Sequence, residues 1–356
     1  MNVCIRTDSS VAIGSGHVMR CLTLADALHD ANATVSFICR ELPGNLNEYI
    51  AQKGYQVHSL PFKESMACEE DAQLTLAILE GNGGSIDWLI VDHYGIDARW
   101  ESILRSRVKK IMVIDDLADR RHECDLILDQ NYYPEMEHRY DDLLPTHCRK
   151  LLGPGHALLR MEFLQARKKL RQRDGSVGRI LISFGGSDLT NETEKAVLAL
   201  RMLNRPNILL DVVVGSANPH RAGIEKLCSA LPNATFHYQI SNIAELMIQA
   251  DLAIGAGGAS TWERCFLGLP TLTVITADNQ TETTVALAAA GVIWNLGCAS
   301  EVTAESLLET LWQVLTEPIV LREKSLAALR IMGVADAGEE TSHYCTAADL
   351  ANLLLH

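Results

Sequence analysis

Short apolar runs, each followed by glycine or polar residues, recur through the first half of the chain. They are Asn2–Arg6, Thr34–Cys39, Trp88–Val91, Ile111–Asp115 and Leu126–Asp129. Apolar positions at helical spacing lie between several of these runs, for example over Asp71–Leu79. Runs this short and this apolar indicate strands that are buried on both faces of a parallel sheet. The first half of the chain is therefore predicted to form an α/β domain.

The same pattern restarts after a basic segment, Arg167–Arg173, and a polar turn, Asp174–Gly178. Strands are expected at Ile180–Ser183, Leu209–Val214, Ala253–Gly255 and Thr271–Ile275, and helices at Glu192–Leu203, Asn242–Gln249 and Ser260–Leu267. The basic segment is either an anion site or a solvated connector between two domains, and its composition favours the connector.

The chain is thus predicted to hold two doubly wound, Rossmann-like α/β domains that face a central cleft. We expect an N-terminal domain over residues 1–165, a second domain over 178–335 and a C-terminal helix over 336–356. Ligands of such sheets bind beyond the carboxyl ends of the strands. The residues that follow each strand are therefore the candidates for chemistry.

The first strand is followed by a glycine turn that ends in a histidine. Gly14 and Gly16 permit a tight turn, and Ser15 is expected to cap a helix that runs from His17 to about His29. The partial positive charge at a helix start favours the neutral, proton-accepting form of an imidazole. The turn is therefore predicted to present a general base, the alternative being a histidine that only caps the turn.

This first turn does not complete the fingerprint of a dinucleotide-binding protein. Met19 stands where the third glycine is required, and Cys39 and Arg40 stand where the second strand should end in an acidic residue. A nicotinamide or flavin dinucleotide is therefore not expected in this domain.

The second domain carries a stronger phosphate-type loop between a strand and a helix start. Gly257 and Gly258 allow close backbone approach, and the free amides near Ser260 can receive a phosphate. Glu263 is expected either to accept hydrogen bonds from ribose hydroxyls or to close a capping box with Ser260. The sequence leaves both roles open.

Other residues at predicted strand ends are less informative. Gly185 and Gly186 either complete a diphosphate site or form a plain turn. Asp92 and His93 follow one strand, while Asp115 and Asp116 follow another and, being adjacent, cannot both face one ligand without a turn. No D-x-D triplet is present, and the histidines lack metal-ligand spacing, so neither a metal nor a cofactor is predicted.

Composition narrows the class of protein and its partners. A formal net charge of -14 argues against nucleic acid, because phosphate binding over a surface needs clustered positive charge. The ten cysteines are scattered without a C-x-x-C pair, which is typical of a reducing compartment. No signal peptide and no apolar run of membrane-helix length is evident, so a cytoplasmic location is expected.

Several of these segments together resemble one enzyme family. They are Arg6-x-Asp8-x-Ser10-x-x-Ile13-Gly14-x-Gly16-His17-x-x-Arg20, Ile114–Asp116, Asp129–Asn131, Leu152–Pro154, Leu158–Arg160, Ser183–Gly186, Ser260–Arg264, Gly268–Pro270 and Asn279–Gln280. They resemble the UDP-sugar hydrolases of pseudaminic acid biosynthesis, which cleave UDP-2,4-diacetamido-2,4,6-trideoxy-β-L-altropyranose to the free sugar and UDP. The resemblance covers roughly residues 1–280.

The resemblance implies a GT-B fold, like that of the glycosyltransferases that form lipid II, and a metal-independent reaction that inverts the anomeric carbon. It implies that His17 is the general base and that Gly257–Ser260 and Glu263 bind UDP. Asn279 or Gln280 would then lie near the sugar or phosphate.

In the first domain, the same motif makes Gly14, Gly16 and Arg20 candidates for substrate binding. Asp8 is a candidate either to orient His17 or to contact the substrate. The function predicted is hydrolysis of that UDP-sugar. The alternatives are a GT-B glycosyltransferase that uses a UDP-amino sugar donor and a UDP-sugar binding protein without turnover.

Overall fold

A computed structural model describes residues 1–63, 66–81, 84–334 and 344–355. The chain divides into two compact units, here called unit 1 (Met1–Leu159 with Cys345–His356) and unit 2 (Arg160–Tyr344). Residues 336–343 of the expected C-terminal helix lie outside the described residues.

Unit 1 alternates strands and helices through most of its length. Its elements are β1 (Asn2–Thr7), α1 (Gly16–Asp30), β2 (Thr34–Arg40), α2 (Asn47–Gln52), β3 (Gln56–Leu60), α3 (Cys68–Gly81), β4 (Ile86–Asp92), α4 (Ala98–Leu104), β5 (Val108–Ile114), β6 (Leu126–Asp129) and β7 (Arg149–Leu152). Short 3₁₀ turns follow β6 and β7, at Met136–His138 and Pro154–His156.

The strands of unit 1 form one parallel sheet in the order β3-β2-β1-β4-β5-β6-β7. Side chains alternate across this sheet, so that Val3 and Ile5 of β1 pack into a core with α1, while Cys4 packs into a second core with α3 and α4. The central strands are buried on both faces, as their apolar runs predict.

Unit 2 repeats the alternation with its own set of elements. They are α5 (Met161–Arg167), β8 (Arg179–Ser183), α6 (Glu192–Leu203), β9 (Leu209–Val214), α7 (Arg221–Ser229), β10 (Ala234–Tyr238), α8 (Ile243–Gln249), β11 (Leu252–Ala256), α9 (Ser260–Phe266), β12 (Thr271–Ile275), a 3₁₀ turn (Asp278–Gln280), α10 (Thr281–Ala289), β13 (Trp294–Cys298), α11 (Ala304–Val314) and α12 (Pro318–Ile331).

The strands of unit 2 form a second parallel sheet in the order β10-β9-β8-β11-β12-β13. Ile180 and Ile182 of β8 pack into a core with α6 and α11. The first strand of each unit, β1 in unit 1 and β8 in unit 2, lies inside its sheet. Later strands are added on both sides of it. The prediction of two doubly wound α/β domains is therefore confirmed.

The unit boundaries follow the packing of two short helices. Helix α5 packs against α8 and α9, which places it in unit 2 although the sequence suggests a first domain that extends to residue 165. The last helix, α13 (Ala347–Leu355), packs against α1 of unit 1, and the Trp88 indole N–H donates to the Leu354 carbonyl at 2.8 Å. The end of the chain thus completes the first unit.

Within the described residues, no helix combines the length and apolar character needed to cross a membrane.

Candidate active site

Four strands of unit 1 end in an aspartate at the same edge of the sheet. Asp8 directly follows β1, Asp92 ends β4, Asp115 follows β5 and Asp129 ends β6. These four strands are consecutive neighbours in the sheet, so their carboxyl ends lie side by side. We call these four residues the aspartate edge.

His17 lies in the first turn of α1 and contacts this edge. Its Nδ1 is 2.5 Å from Asp92 Oδ1, and its ring packs edge-on against Tyr94, with ring centroids 4.6 Å apart. An anionic carboxylate at Nδ1 selects the tautomer in which Nδ1 carries the proton. The remaining nitrogen, Nε2, then has a free lone pair, and no hydrogen-bond partner to it is found in the described parts of the chain.

Asp92 is held in its anionic form by a second partner. Arg20, one turn after His17, donates from Nε to Asp92 Oδ2 and from Nη2 to Asp92 Oδ1, both at 2.6 Å. Burial raises the pKa of the Asp92 carboxyl, but the charge of Arg20 and the hydrogen bonds from Arg20 and His17 outweigh burial and hold this pKa well below its usual range. Arg20 also donates to Asp116 Oδ2 at 3.2 Å. Its guanidinium is therefore occupied by carboxylates of its own unit.

Asp8 contacts a different set of groups. Its carboxylate accepts from Arg6 Nη1 at 2.6 Å and from Arg40 Nε at 2.5 Å, and it lies 3.1 Å from His93 Nε2. The residue is buried. The expectation that Asp8 orients His17 is wrong, because Asp92 occupies that position.

The turn before α1 is formed by its backbone. Gly14 has a φ of +81°, which favours glycine, and its N–H donates to the Ser10 carbonyl at 2.8 Å. Ser15 makes no side-chain capping bond, so its predicted capping role is wrong. A Cβ at Gly16 would meet no atom within 4 Å. The amides at the start of α1 are therefore not covered by a capping side chain.

The glycine loop of unit 2, Gly255–Ser260, has no room for a side chain at position 257. A Cβ at Gly257 would lie 2.4 Å from Thr284 Oγ1, whereas one at Gly258 would lie 3.5 Å from Gln280 Nε2. The Gly257 N–H donates to the Val274 carbonyl of β12 at 3.2 Å. The loop thus runs close to α10 and the 3₁₀ turn before it.

Glu263 and Ser260 do not form the capping box that their spacing allows. Ala259 is the N-cap of α9 and provides no side-chain bond, and Ser260 Oγ accepts from Arg264 Nη1 at 2.9 Å. Glu263 Oε1 instead accepts from Arg160 Nη2 at 3.0 Å. Burial raises the pKa of the Glu263 carboxyl, and the Arg160 charge opposes this rise. Of the two predicted roles, ribose binding is the one that remains as a proposal.

The other predicted positions in unit 2 surround this loop or the end of β8. Gln280 Oε1 accepts from the Thr276 N–H at 3.0 Å, and Asn279 beside it is exposed. Gly185 is exposed with a φ of +85°, and the Gly186 carbonyl accepts from the Ala217 N–H at 3.2 Å.

The end of β9 approaches the same turn. A Cβ at Gly215 would lie 2.4 Å from the Gly186 carbonyl oxygen. Three neighbouring strands of unit 2, β9, β8 and β11, are thus followed within two residues by a glycine, whereas four neighbouring strands of unit 1 end in an aspartate.

The basic segment after α5 lies inside unit 2, with Lys168, Lys169 and Arg171 exposed and Arg173 buried. Arg173 is buried and donates to the carbonyls of Met247, Ala250, Leu267 and Gly268, at 2.6 to 3.1 Å. These carbonyls lie at the C-terminal ends of α8 and α9, where helices leave acceptors unsatisfied and carry partial negative charge. The segment is thus solvated over much of its length, but it lies inside unit 2 and does not connect the two units, and Arg173 links two helix ends.

The fold of the chain and the sequence of its second half are similar to those of glycosyltransferases. Residues 180–340 match the model of the glycosyltransferase family 28 C-terminal domain. The crystal structure of MurG from Acinetobacter baumannii matches this structure with a TM-score of 0.65 and 14% identity, over 99% of both chains. The chain therefore has the GT-B fold that the sequence resemblance implies.

Sequence similarity points to a narrower group. The chain is 28% identical to the UDP-2,4-diacetamido-2,4,6-trideoxy-beta-L-altropyranose hydrolase of Campylobacter jejuni, over 82% of this chain and 97% of that relative. It is 25% identical to the spore coat polysaccharide biosynthesis protein SpsG of Bacillus subtilis, over 89% of each. The resemblance to the UDP-sugar hydrolases is thereby confirmed.

Proposed function

We propose that this protein hydrolyses UDP-2,4-diacetamido-2,4,6-trideoxy-β-L-altropyranose to the free sugar and UDP, as a step of pseudaminic acid biosynthesis. The similarity to the Campylobacter jejuni hydrolase supports an enzyme that acts on a UDP-sugar in sugar biosynthesis. The observation that carries the proposal is the hydrogen bond between His17 and Asp92, because it prepares one imidazole nitrogen to accept a proton.

The proposed reaction uses His17 as a general base. Its Nε2 takes a proton from a water molecule, the water oxygen bonds to the anomeric carbon, and the bond from that carbon to the UDP oxygen breaks. Attack opposite to the leaving group inverts the anomeric carbon. The imidazolium that forms is stabilised by the Asp92 carboxylate, as in other histidine–carboxylate pairs. UDP is a good leaving group, so a second carboxylic acid is not required.

Unit 2 is proposed to bind the UDP portion. Backbone amides of Gly258 and Ser260 would stabilise the charge that develops on the diphosphate, without a metal ion. Gly257, whose own N–H is bonded to the Val274 carbonyl, would let the diphosphate approach the backbone. Glu263 would accept hydrogen bonds from the ribose hydroxyls. Asn279 is exposed and has a side chain long enough to meet the sugar or a phosphate.

We assign narrower roles in substrate binding to the remaining predicted positions. Gly185 and Gly186 would add backbone amides to the diphosphate site, and Gln280 would hold the glycine loop in place. In unit 1, Gly14 and Gly16 would let the substrate approach the backbone at the start of α1.

Two further positions in unit 1 act through other residues. Arg20 would keep Asp92 anionic and in place. Asp8 would hold Arg6 and Arg40, which surround its carboxylate.

Incubation with the UDP-sugar, followed by proton NMR, tests the proposal directly. The expected result is UDP and a free sugar whose first-formed anomer is inverted, with the oxygen of ¹⁸O-labelled water bonded to the anomeric carbon. His17→Asn should reduce turnover at least about 100-fold. His29→Asn is the matched control, because His29 lies on the same helix, is exposed and also packs edge-on against a tyrosine.

Three outcomes would contradict the proposal. UDP release that requires an added sugar or lipid acceptor would identify a transferase. Binding of the UDP-sugar without its consumption would identify a binding protein. Nearly intact turnover in His17→Asn, with UDP binding unchanged, would remove the base assignment.

A further inference from the structure

Unit 2 contains a buried arginine directly beside the proposed diphosphate loop. Arg264 lies on α9 and is 2% exposed. It donates from Nη2 to the Ala256 carbonyl at 2.6 Å and to Thr261 Oγ1 at 3.1 Å, and from Nη1 to Ser260 Oγ at 2.9 Å. Its guanidinium therefore connects the last residue of β11 to the first turn of α9, which are the two ends of the glycine loop.

Among the described residues, the charge of Arg264 is not directly paired with a carboxylate, although the Glu263 carboxylate acts on it without forming an ion pair. Within the described parts of the chain, no acidic side chain forms an ion pair with Arg264, and its Nε is buried without a hydrogen-bond partner. The neighbouring Glu263 contacts Arg160 instead. Burial lowers the pKa of Arg264 to about 10. A buried charge without a counter-charge is costly, so its presence needs a reason.

Buried arginines of unit 1 are treated differently. Arg6 contacts the carboxylates of Asp8 and Asp71, and Arg20 contacts those of Asp92 and Asp116. Unlike these two arginines, Arg264 forms no ion pair with a carboxylate in the described parts of the chain.

Glycine at position 255 lets the guanidinium come close to the loop. A Cβ there would lie 3.0 Å from Arg264 Nη1 and 2.6 Å from the Ser183 carbonyl. The backbone of the loop is therefore in direct contact with the positive charge, and an anion held by the loop amides would share its field.

We propose that Arg264 is a positioning residue whose unpaired charge selects the diphosphate of a nucleotide held by the Gly255–Ser260 loop. This inference rests on the proposed UDP site. The bound diphosphate supplies the counter-charge that the protein omits. The hydrogen bonds of Arg264 keep the loop in the shape that presents its amides.

Arg173 provides a matched control within the same unit. It is also buried and, within the described residues, also forms no ion pair with a carboxylate, and burial lowers its pKa to about 10. Its donors, however, are used by four carbonyls at the ends of α8 and α9. Removing Arg173 should lower stability without changing anion selectivity.

The experiment compares uridine, UDP and inorganic pyrophosphate as ligands of the full chain. Isothermal titration gives the two nucleoside affinities, and the shift of Tm reports pyrophosphate binding. Arg264→Met should weaken UDP by on the order of tenfold or more, the effect of one unit charge at a partly screened distance, and leave uridine within about twofold. Pyrophosphate should raise the Tm of the wild type and of Arg173→Met, but not that of Arg264→Met.

Arg264→Lys covers the case in which the methionine variant does not fold. Lysine keeps the charge and loses the fork of donors, so it should retain part of the UDP preference over uridine. Equal losses of uridine and UDP, or an unchanged UDP affinity in both variants, would overturn the role of Arg264. A wild type that binds neither UDP nor pyrophosphate would overturn the proposed UDP site as well, so the two failures are distinguishable.

Discussion

Units 1 and 2 have the same winding but opposite chemistry at the carboxyl ends of their strands. In unit 1, four neighbouring strands end in an aspartate. In unit 2, three neighbouring strands, β9, β8 and β11, are followed within two residues by Gly215, Gly185 and Gly257. One fold therefore presents carboxylates at one edge and bare backbone at the other.

The difference separates two tasks that one edge could not perform well. Carboxylates orient an imidazole and stabilise its protonated form, but they repel a diphosphate. Glycines expose amides and tolerate a close approach, but they offer no proton acceptor. Arginines follow the same division, since those of the aspartate edge are paired and Arg264 is not.

The largest expected effect comes from removing the carboxylate that orients His17. Asp92→Asn keeps the size of the side chain but allows the amide N–H to face Nδ1, which favours the wrong tautomer. Turnover should fall about 10³-fold or more, while UDP affinity stays unchanged.

Asp125→Asn is the matched control for this variant. Asp125 is a carboxylate of the same unit that pairs with Arg105 and makes no contact with His17 among the described residues. A turnover of Asp92→Asn within tenfold of the wild type would contradict the division of tasks between the units.

The second prediction tests the space requirement at the glycine edge. Gly257→Ala places a Cβ where Thr284 Oγ1 lies at 2.4 Å, which forces one of the two elements to move. Overpacking of this kind should cost about 2 kcal/mol of stability and weaken UDP binding. Urea unfolding and titration with UDP measure both effects.

Two further variants test whether the contact with Thr284 causes the loss of stability in Gly257→Ala. Gly258→Ala meets only an ordinary contact at 3.5 Å and should lose much less stability. Adding Thr284→Ala to Gly257→Ala removes the hydroxyl and should restore most of the loss. Equal losses for the two alanine variants would show that space at Gly257 is not the reason for its glycine.

The buried central strands could be predicted from the sequence. The strands at the margins of the two sheets could not. The apolar pattern predicts no strand at four places where the structure has one: β3, β7, β10 and β13. These are the edge strands of the two sheets. Edge strands have one neighbour and more exposed positions, so they lack the continuous apolar runs of central strands.

The places of the candidate residues after strands could be predicted from the sequence, but the partners of these residues could not. His17 and the Gly257 loop follow strands, and that local pattern is visible in the sequence. The partner of His17, Asp92, is 75 residues away and is brought to it only by the pairing of β1 with β4. Strand order identifies such partners, and the sequence alone does not give strand order.

The third prediction concerns a proton that we infer to be bound to one carboxyl group of the aspartate edge. The Tyr140 hydroxyl lies 3.0 Å from Asp115 Oδ2 and 3.1 Å from Asp129 Oδ2. Because a hydroxyl has one proton to donate, both contacts are full hydrogen bonds only when one of the carboxyls is itself protonated. Asp115 is paired with Arg120, and burial raises the pKa of Asp129 to about 7. Asp129 therefore carries the extra proton at and below neutral pH.

This proton makes stability depend on pH in a defined direction. The unfolded chain loses the Asp129 proton near its ordinary pKa of 3.8, and the folded chain near 7. Stability from this group is thus complete below about pH 4 and is lost as the pH rises to about 7. Asp129→Asn should remove this loss and raise Tm at pH 8 relative to the wild type.

Calorimetry at pH 5 and pH 8 measures the effect of Asp129→Asn. The exposed Asp142→Asn is the control, and its Tm should follow the wild type at both pH values. If Asp129→Asn changes Tm equally at pH 5 and pH 8, folding does not raise the pKa of this carboxyl, and the aspartate edge holds one more negative charge below pH 7 than we infer.

The smallest effect is expected at the two helix starts where the units differ in capping. Ser15 makes no side-chain bond to α1, whereas Thr303 and Ser306 form a reciprocal capping box at the start of α11. Ser15→Ala should therefore change the free energy of unfolding by less than about 0.5 kcal/mol, and Thr303→Ala should cost about 1 kcal/mol. Urea unfolding of both variants measures the pair. A loss at Ser15 equal to that at Thr303 would mean that the amides of α1 are capped by Ser15 and are not open to a ligand.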